Sequence, residues 1–82
     1  MYGERIKFLR LEKGWSQEKL ATILNITQKT VSKYETETLD LSTDMLIRLC
    51  YIFETKADYI LGLEDETGTK IQNINQTFNF KF

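Results

Sequence analysis

Gln28, Lys29, Ser32 and Lys33 sit at intervals that place them together on one face of a helix, with Val31 and Tyr34 on the other. An amide, two ammonium groups and a hydroxyl make a set of hydrogen-bonding and charged groups. Such a set suits recognition rather than catalysis. A glutamine amide can hold an adenine edge through N6 and N7, and a lysine can reach guanine O6 and N7 or a phosphate. Ser32 can meet a base or water. Just upstream, Gln17 opens a helix whose N-terminal amides and positive dipole end favour a phosphate, which makes it a candidate backbone ligand. Thr27 caps the following helix and offers a methyl and a hydroxyl beside the same surface; Thr36, at the far end, adds a further backbone candidate.

Composition narrows the alternatives. There is no histidine and a single cysteine, Cys50, so neither a zinc site nor an internal disulfide can be built, and a reducing cytoplasm is the natural compartment. No cofactor is implied, and enzymatic chemistry is hard to assemble from these residues. No run approaches the roughly 18 apolar residues of a membrane span, and no signal peptide is evident at the start. Asn25-Ile26-Thr27 and Asn75-Gln76-Thr77 match the glycosylation pattern and are read as chance. The net charge of −1 conceals an asymmetry. Residues 1–34 carry seven Lys/Arg against three Asp/Glu, residues 35–66 carry two against nine, and the remainder adds two lysines. A basic first half can face a polyanion while the acidic half keeps the chain soluble.

Five helices are expected to position the polar face. The first runs from about Tyr2 to Lys13, with Tyr2, Ile6 and Leu9 on its apolar stripe and Gly14 at its end. Ser16 caps the second, which buries Leu20, Ala21 and Leu24. The third spans about Thr27 to Glu35. Leu41-Ser42-Thr43-Asp44 announces the fourth, expected to bury Leu46, Leu49, Cys50 and Phe53. A short fifth opens on a capping box of Thr55 with Asp58, buries Tyr59 and Ile60, and closes at Gly62. Between the second and third helices, Ala21 permits a close crossing and Asn25 suits a left-handed turn. The result is an all-α domain containing a helix-turn-helix, its second helix free to enter a major groove.

The segment "RIKFLRLEKGWSQEKLATILNITQKTVSKYE" followed by "STDMLIRLCYIFETKADYILGL" resembles the lambdoid phage repressor and Cro type of helix-turn-helix domain, and equally the bacterial regulators of the xenobiotic-response-element class. The resemblance covers residues 4–63. It implies a five-helix DNA-binding domain over 1–63, with 64–82 as a tail for dimerisation or fold-back. It further implies a sequence-specific transcriptional regulator, a repressor acting as a homodimer on double-stranded palindromic DNA. An antitoxin or protein-interaction module is the second reading. The resemblance also implies an ion pair between Arg10 and Glu35 with the arginine near the DNA backbone, and a dimer interface around Tyr59, Leu61 and Leu63. The chain departs from the pattern after Glu35, where "TETLDLST" carries Glu37 and Asp40 in place of a basic loop. The tail is also distinctive: Phe78, Phe80 and Phe82 alternate with polar residues at a strand's period. Phe8 and Leu11 lie off the core stripe of the first helix, so the tail is expected either to fold back over them or to join the dimer interface and meet a protein partner.

Overall fold

The computed structural model of the chain describes residues 1–71, which form five helices: α1 (Tyr2–Glu12), α2 (Gln17–Leu24), α3 (Gln28–Glu35), α4 (Thr43–Phe53) and α5 (Ala57–Ile60). Three of them start on a hydroxyl cap. Ser16, Thr27 and Ser42 each hold extended backbone and accept the N–H three residues on, from Lys19, Thr30 and Met45. Such a cap satisfies one of the helix's orphan donors and contributes about 1 kcal/mol. Asn25 ends α2 in the left-handed region (φ 57°, ψ 45°), where its short amide side chain is tolerated better than a bulkier one.

The core is one cluster at the crossing of the helices. Ile6, Leu20, Leu24, Val31, Leu49 and Ile60 are all but fully buried, and Ala21 lies buried beneath the close approach of α2 and α3. Tyr34 joins them from α3, and Trp15 packs at 5.7 Å from Phe53. Burying each large aliphatic side chain stabilises the fold by about 1.5–3 kcal/mol.

Two details differ from the sequence reading. On α4 the fully buried residues are Met45, Leu49 and Phe53, while Leu46 and Cys50 line the edge of the core. The apolar positions 45, 46, 49, 50 and 53 fit two adjacent helical stripes, and packing selects the one led by Met45. Nor is there a Thr55–Asp58 capping box. Lys56 occupies the cap position of α5 without a side-chain bond, and Asp58 is instead drawn to the Lys70 ammonium at 3.3 Å.

Beyond α5 the chain turns back on the domain. Glu64 and Lys70 form an isolated antiparallel bridge, closed by the Asp65 carboxylate accepting from the N–H groups of Thr67 and Thr69. The Ile71 N–H donates to the Leu63 carbonyl at 3.0 Å, and Arg5 donates to the Glu64 carbonyl at 3.0 Å. Residues 64–71 are thus tied to α1 and α5. Residues 72–82, with Phe78, Phe80 and Phe82, lie outside the described residues. No described helix is long and apolar enough to cross a membrane.

Candidate nucleic-acid interface

The outward face of α3 follows from what its inward face must do. Val31 and Tyr34 are buried, which turns Gln28, Lys29 and Lys33 into solvent and leaves Ser32 half-covered between them. Thr27 holds the start of the helix through its hydroxyl, which accepts the Thr30 N–H at 3.1 Å and lies 2.8 Å from the Thr30 hydroxyl. The face therefore begins with Gln28 at the exposed N-terminal end, where the helix's own unpaired N–H groups concentrate.

Beneath this surface a polar chain fixes the helix. Arg10 Nε donates to Glu35 Oε2 at 2.7 Å, its Nη2 to Glu35 Oε1 at 3.2 Å, and its Nη1 to the Trp15 carbonyl at 2.8 Å. The two side chains are only 8% and 4% exposed. Glu35 Oε1 also accepts from the Gln17 amide at 3.1 Å, and Gln17 Oε1 in turn accepts from Gln28 at 3.4 Å. A forked, buried pair of this kind sets geometry more than it adds stability, because desolvation offsets the attraction. Here it joins α1, α2 and both ends of α3.

This arrangement bears on several residue assignments. Arg10 is buried at 7% exposure, and three of its five N–H donors are engaged with Glu35 and the Trp15 carbonyl, which ties α1 to the end of α3. Gln17 is partly engaged too, its amide divided between Glu35 and Gln28, while Ser16 takes the Lys19 N–H and leaves the N–H groups of Gln17 and Glu18 without an intrahelical acceptor. The Thr36 hydroxyl donates back to the Ser32 carbonyl at 3.0 Å, on an exposed residue at the end of α3. Tyr59 is largely buried in the fold, 9% exposed, with the Arg5 guanidinium 4.3 Å from its ring. Leu61 is half-buried, and Leu63 is the more exposed of the two.

Two contributors escaped the sequence reading. Gly3 is buried where α1 meets the end of α3, and a Cβ there would stand 2.2 Å from the Glu35 carbonyl oxygen. A glycine inside a helix costs about 0.5–1 kcal/mol against alanine, and that cost is the signal of a close backbone approach. Glu37, one of the two acids that stand in place of a basic loop, turns back toward α1. It adopts a left-handed backbone (φ 60°), and its carboxylate accepts from the Met1 α-ammonium and, at 3.1 Å, from the Gly3 N–H. The hydrogen bond from the α-ammonium holds the Glu37 carboxyl below the usual glutamate range, against an opposing push from burial. Asp40 stays exposed. Nearby, the Tyr2 hydroxyl donates to the Leu39 carbonyl at 2.9 Å, and its acidity is weakened by burial and then by Glu37 and Asp40. Among the described residues no group of His, Cys, Asp and Glu could hold a metal ion.

Comparison with known proteins bears on the fold and the family. Residues 6–60 match the helix-turn-helix family model HTH_3. The transcriptional regulator ImmR of Bacillus subtilis (strain 168) is 35% identical over 79 residues, a match covering 94% of this chain and 61% of ImmR. The chain thus spans about three fifths of the length of that relative. Among solved structures, the P22 c2 repressor bound to a synthetic operator superposes with a TM-score of 0.68 at 22% identity, over 73% of this chain and 91% of the repressor, a likeness of fold. SinR, a master regulator for biofilm formation solved in complex with DNA, gives a TM-score of 0.67 at 27% identity over 74% of this chain and 98% of SinR. With its five helices, its matched core and this span of similarity, the chain belongs to the Cro/C1-type helix-turn-helix family.

Proposed function

We propose that the chain is a sequence-specific, double-stranded-DNA-binding transcriptional regulator, acting as a repressor. The observation that carries this reading is the exposed Gln28–Lys29–Ser32–Lys33 face on a helix locked by the Arg10–Glu35 pair. Its supports are the family match and the relatives, which include ImmR, a named transcriptional regulator, and two proteins solved with operator or DNA. In this reading Gln28 reads an adenine, Lys29, Ser32 and Lys33 meet base edges or phosphates, and the free N–H groups at the start of α2, beside Gln17, hold a phosphate. Thr27 borders the same contact.

One recognition helix reads few base pairs, so useful specificity calls for two half-sites about 34 Å apart and a two-fold dimer. Leu61 and Leu63 are the described residues of the α5 region available for that contact. Selection of bound duplexes from a random pool tests the reading. Enriched inverted half-sites, centred about one helical turn apart, are the expected outcome. A pool that stays random after selection would overturn it.

A further inference from the structure

The two ends of α3 are held differently. Its C-terminal end is clamped from α1, by Arg10 on Glu35 and by the close approach of Gly3. Its N-terminal end, where Gln28 stands, follows directly from the turn at 25–27. That turn begins at the C-terminus of α2, where the last carbonyls have no partner within the helix. Two of them are satisfied locally: Ile26 donates to the Ala21 carbonyl at 2.9 Å and Asn25 to the Thr22 carbonyl at 3.2 Å. The Leu24 carbonyl is met from another element. Arg48 of α4 lies 24 residues along the chain and donates to it through Nη2. Leu24 is buried and Arg48 half-buried, so the bond forms inside the packed junction of α2 with α4. Among the described residues Arg48 forms no ion pair with an Asp or Glu. Its partner there is the negative end of the α2 dipole, where a cation is favoured.

We propose that Arg48 is a positioning residue for base reading: by holding the Leu24 carbonyl it fixes the turn, and with it the angle at which α3 presents Gln28. The proposal rests on the reading of α3 as the DNA-contacting helix. Asn25, in its left-handed conformation, ends α2 within the helix-turn-helix unit itself. Arg48 does something the unit cannot do alone, because it ties that end to a helix outside the unit. A guanidinium suits the task, being charged at all working pH values and carrying several donors on a planar head. Without it the Leu24 carbonyl would be left short of a partner, and the turn would shift to bring that oxygen to water. The shift would fall at the end of α3 that Arg10 and Gly3 do not hold.

Two measurements on the full chain test this. In the protein without DNA, Arg48→Met should speed amide exchange at Asn25 and Ile26 roughly threefold or more, while the amides of α1 and α5 keep their rates. In competition binding, the same variant should lower the ratio of affinities for selected over random duplex roughly tenfold, about the loss of one base-pair preference. Arg48→Lys, which keeps the charge and a donor on a long stem, should restore most of both. Should Arg48→Met loosen the whole fold, Arg48→Gln serves in its place. Equal losses on both duplexes would overturn the proposal by making Arg48 a phosphate ligand. An unchanged ratio would overturn it by leaving Arg48 a part in stability alone, and unchanged exchange at the turn would overturn it with no DNA present. The two readings fail separately. A parent chain that favours no duplex overturns the DNA reading and the proposal with it, whereas a discriminating parent whose ratio survives Arg48→Met overturns the proposal alone.

Discussion

The division of labour at the residue scale is between groups that face outward and groups that hold them. Gln28 and Lys29 present hydrogen-bonding and charged groups from α3, while Arg10 and Glu35, at 8% and 4% exposure, fix the helix from below. The two classes predict different failures. Glu35→Ala leaves the Arg10 guanidinium buried without its partner, and urea unfolding should show a loss of about 3–5 kcal/mol. Replacing both, as Arg10→Met with Glu35→Leu, should restore most of the stability because no buried charge remains. DNA binding by that double variant should nonetheless stay weakened, since the link through Gln17 to Gln28 is gone. Recovery of both properties together would show that the pair has no positioning role.

At the scale of the elements, α1 meets the end of α3 so closely that both sides of the contact depend on it. Gly3→Ala would ordinarily favour a helix by about 0.5–1 kcal/mol, but here the new methyl meets the Glu35 carbonyl at 2.2 Å, and backbone cannot move aside cheaply. A net destabilisation of about 1–3 kcal/mol is expected in urea unfolding. A stabilised variant would mean that α1 is free to shift. The same junction carries a pH signature. Glu37 is held below its ordinary range by the Met1 α-ammonium and the Gly3 N–H, so its folded form takes up a proton less readily than its unfolded form. Its contribution is present at neutral pH and fades as pH falls below the ordinary glutamate range and through the depressed folded value. With a third of the side chain exposed, the effect is small. Glu37→Gln should lower the thermal midpoint at pH 7, and the gap to the parent should close under acid conditions. A gap that is constant with pH would remove the carboxylate from this contact.

The starts of α2, α3 and α4 were legible in the sequence because local chemistry makes them: Ser16, Thr27 and Ser42 cap, and Asn25 turns, in the places where such residues serve best, whereas the start of α5 at Lys56 carries no such signal. What was not legible depends on neighbours far along the chain. Nothing local to Glu37 says that its carboxylate will reach back 36 residues to Met1, nor that Gly3 will meet Glu35. The Arg10–Glu35 pair came from the resemblance, whereas its link through Gln17 to Gln28 depends on how α2 and α3 pack. On α4 the choice between stripes led by Met45 and Leu46 belongs to packing, and periodicity alone leaves both open. The polar face of α3 was legible for the opposite reason: it is what remains once the core has taken Val31 and Tyr34.

For the whole molecule, charge sets how tightly the proposed surface holds any duplex. With Glu37 turned toward α1, the acid in the loop after α3 that remains exposed is Asp40. Asp40→Lys should therefore raise affinity for random and preferred DNA alike and steepen the dependence on salt, adding up to about one released counterion per subunit. Titrations at several salt concentrations check this, and an unchanged slope would place Asp40 away from the phosphates. The central claim, that the outward face of α3 reads bases, is tested most directly by competition binding of Gln28→Ala on selected and random duplexes. The expected result is a loss of about 1–3 kcal/mol on the selected site with little change on random DNA, and relaxed preference at one base pair per half-site. An equal loss on both kinds of DNA would contradict it.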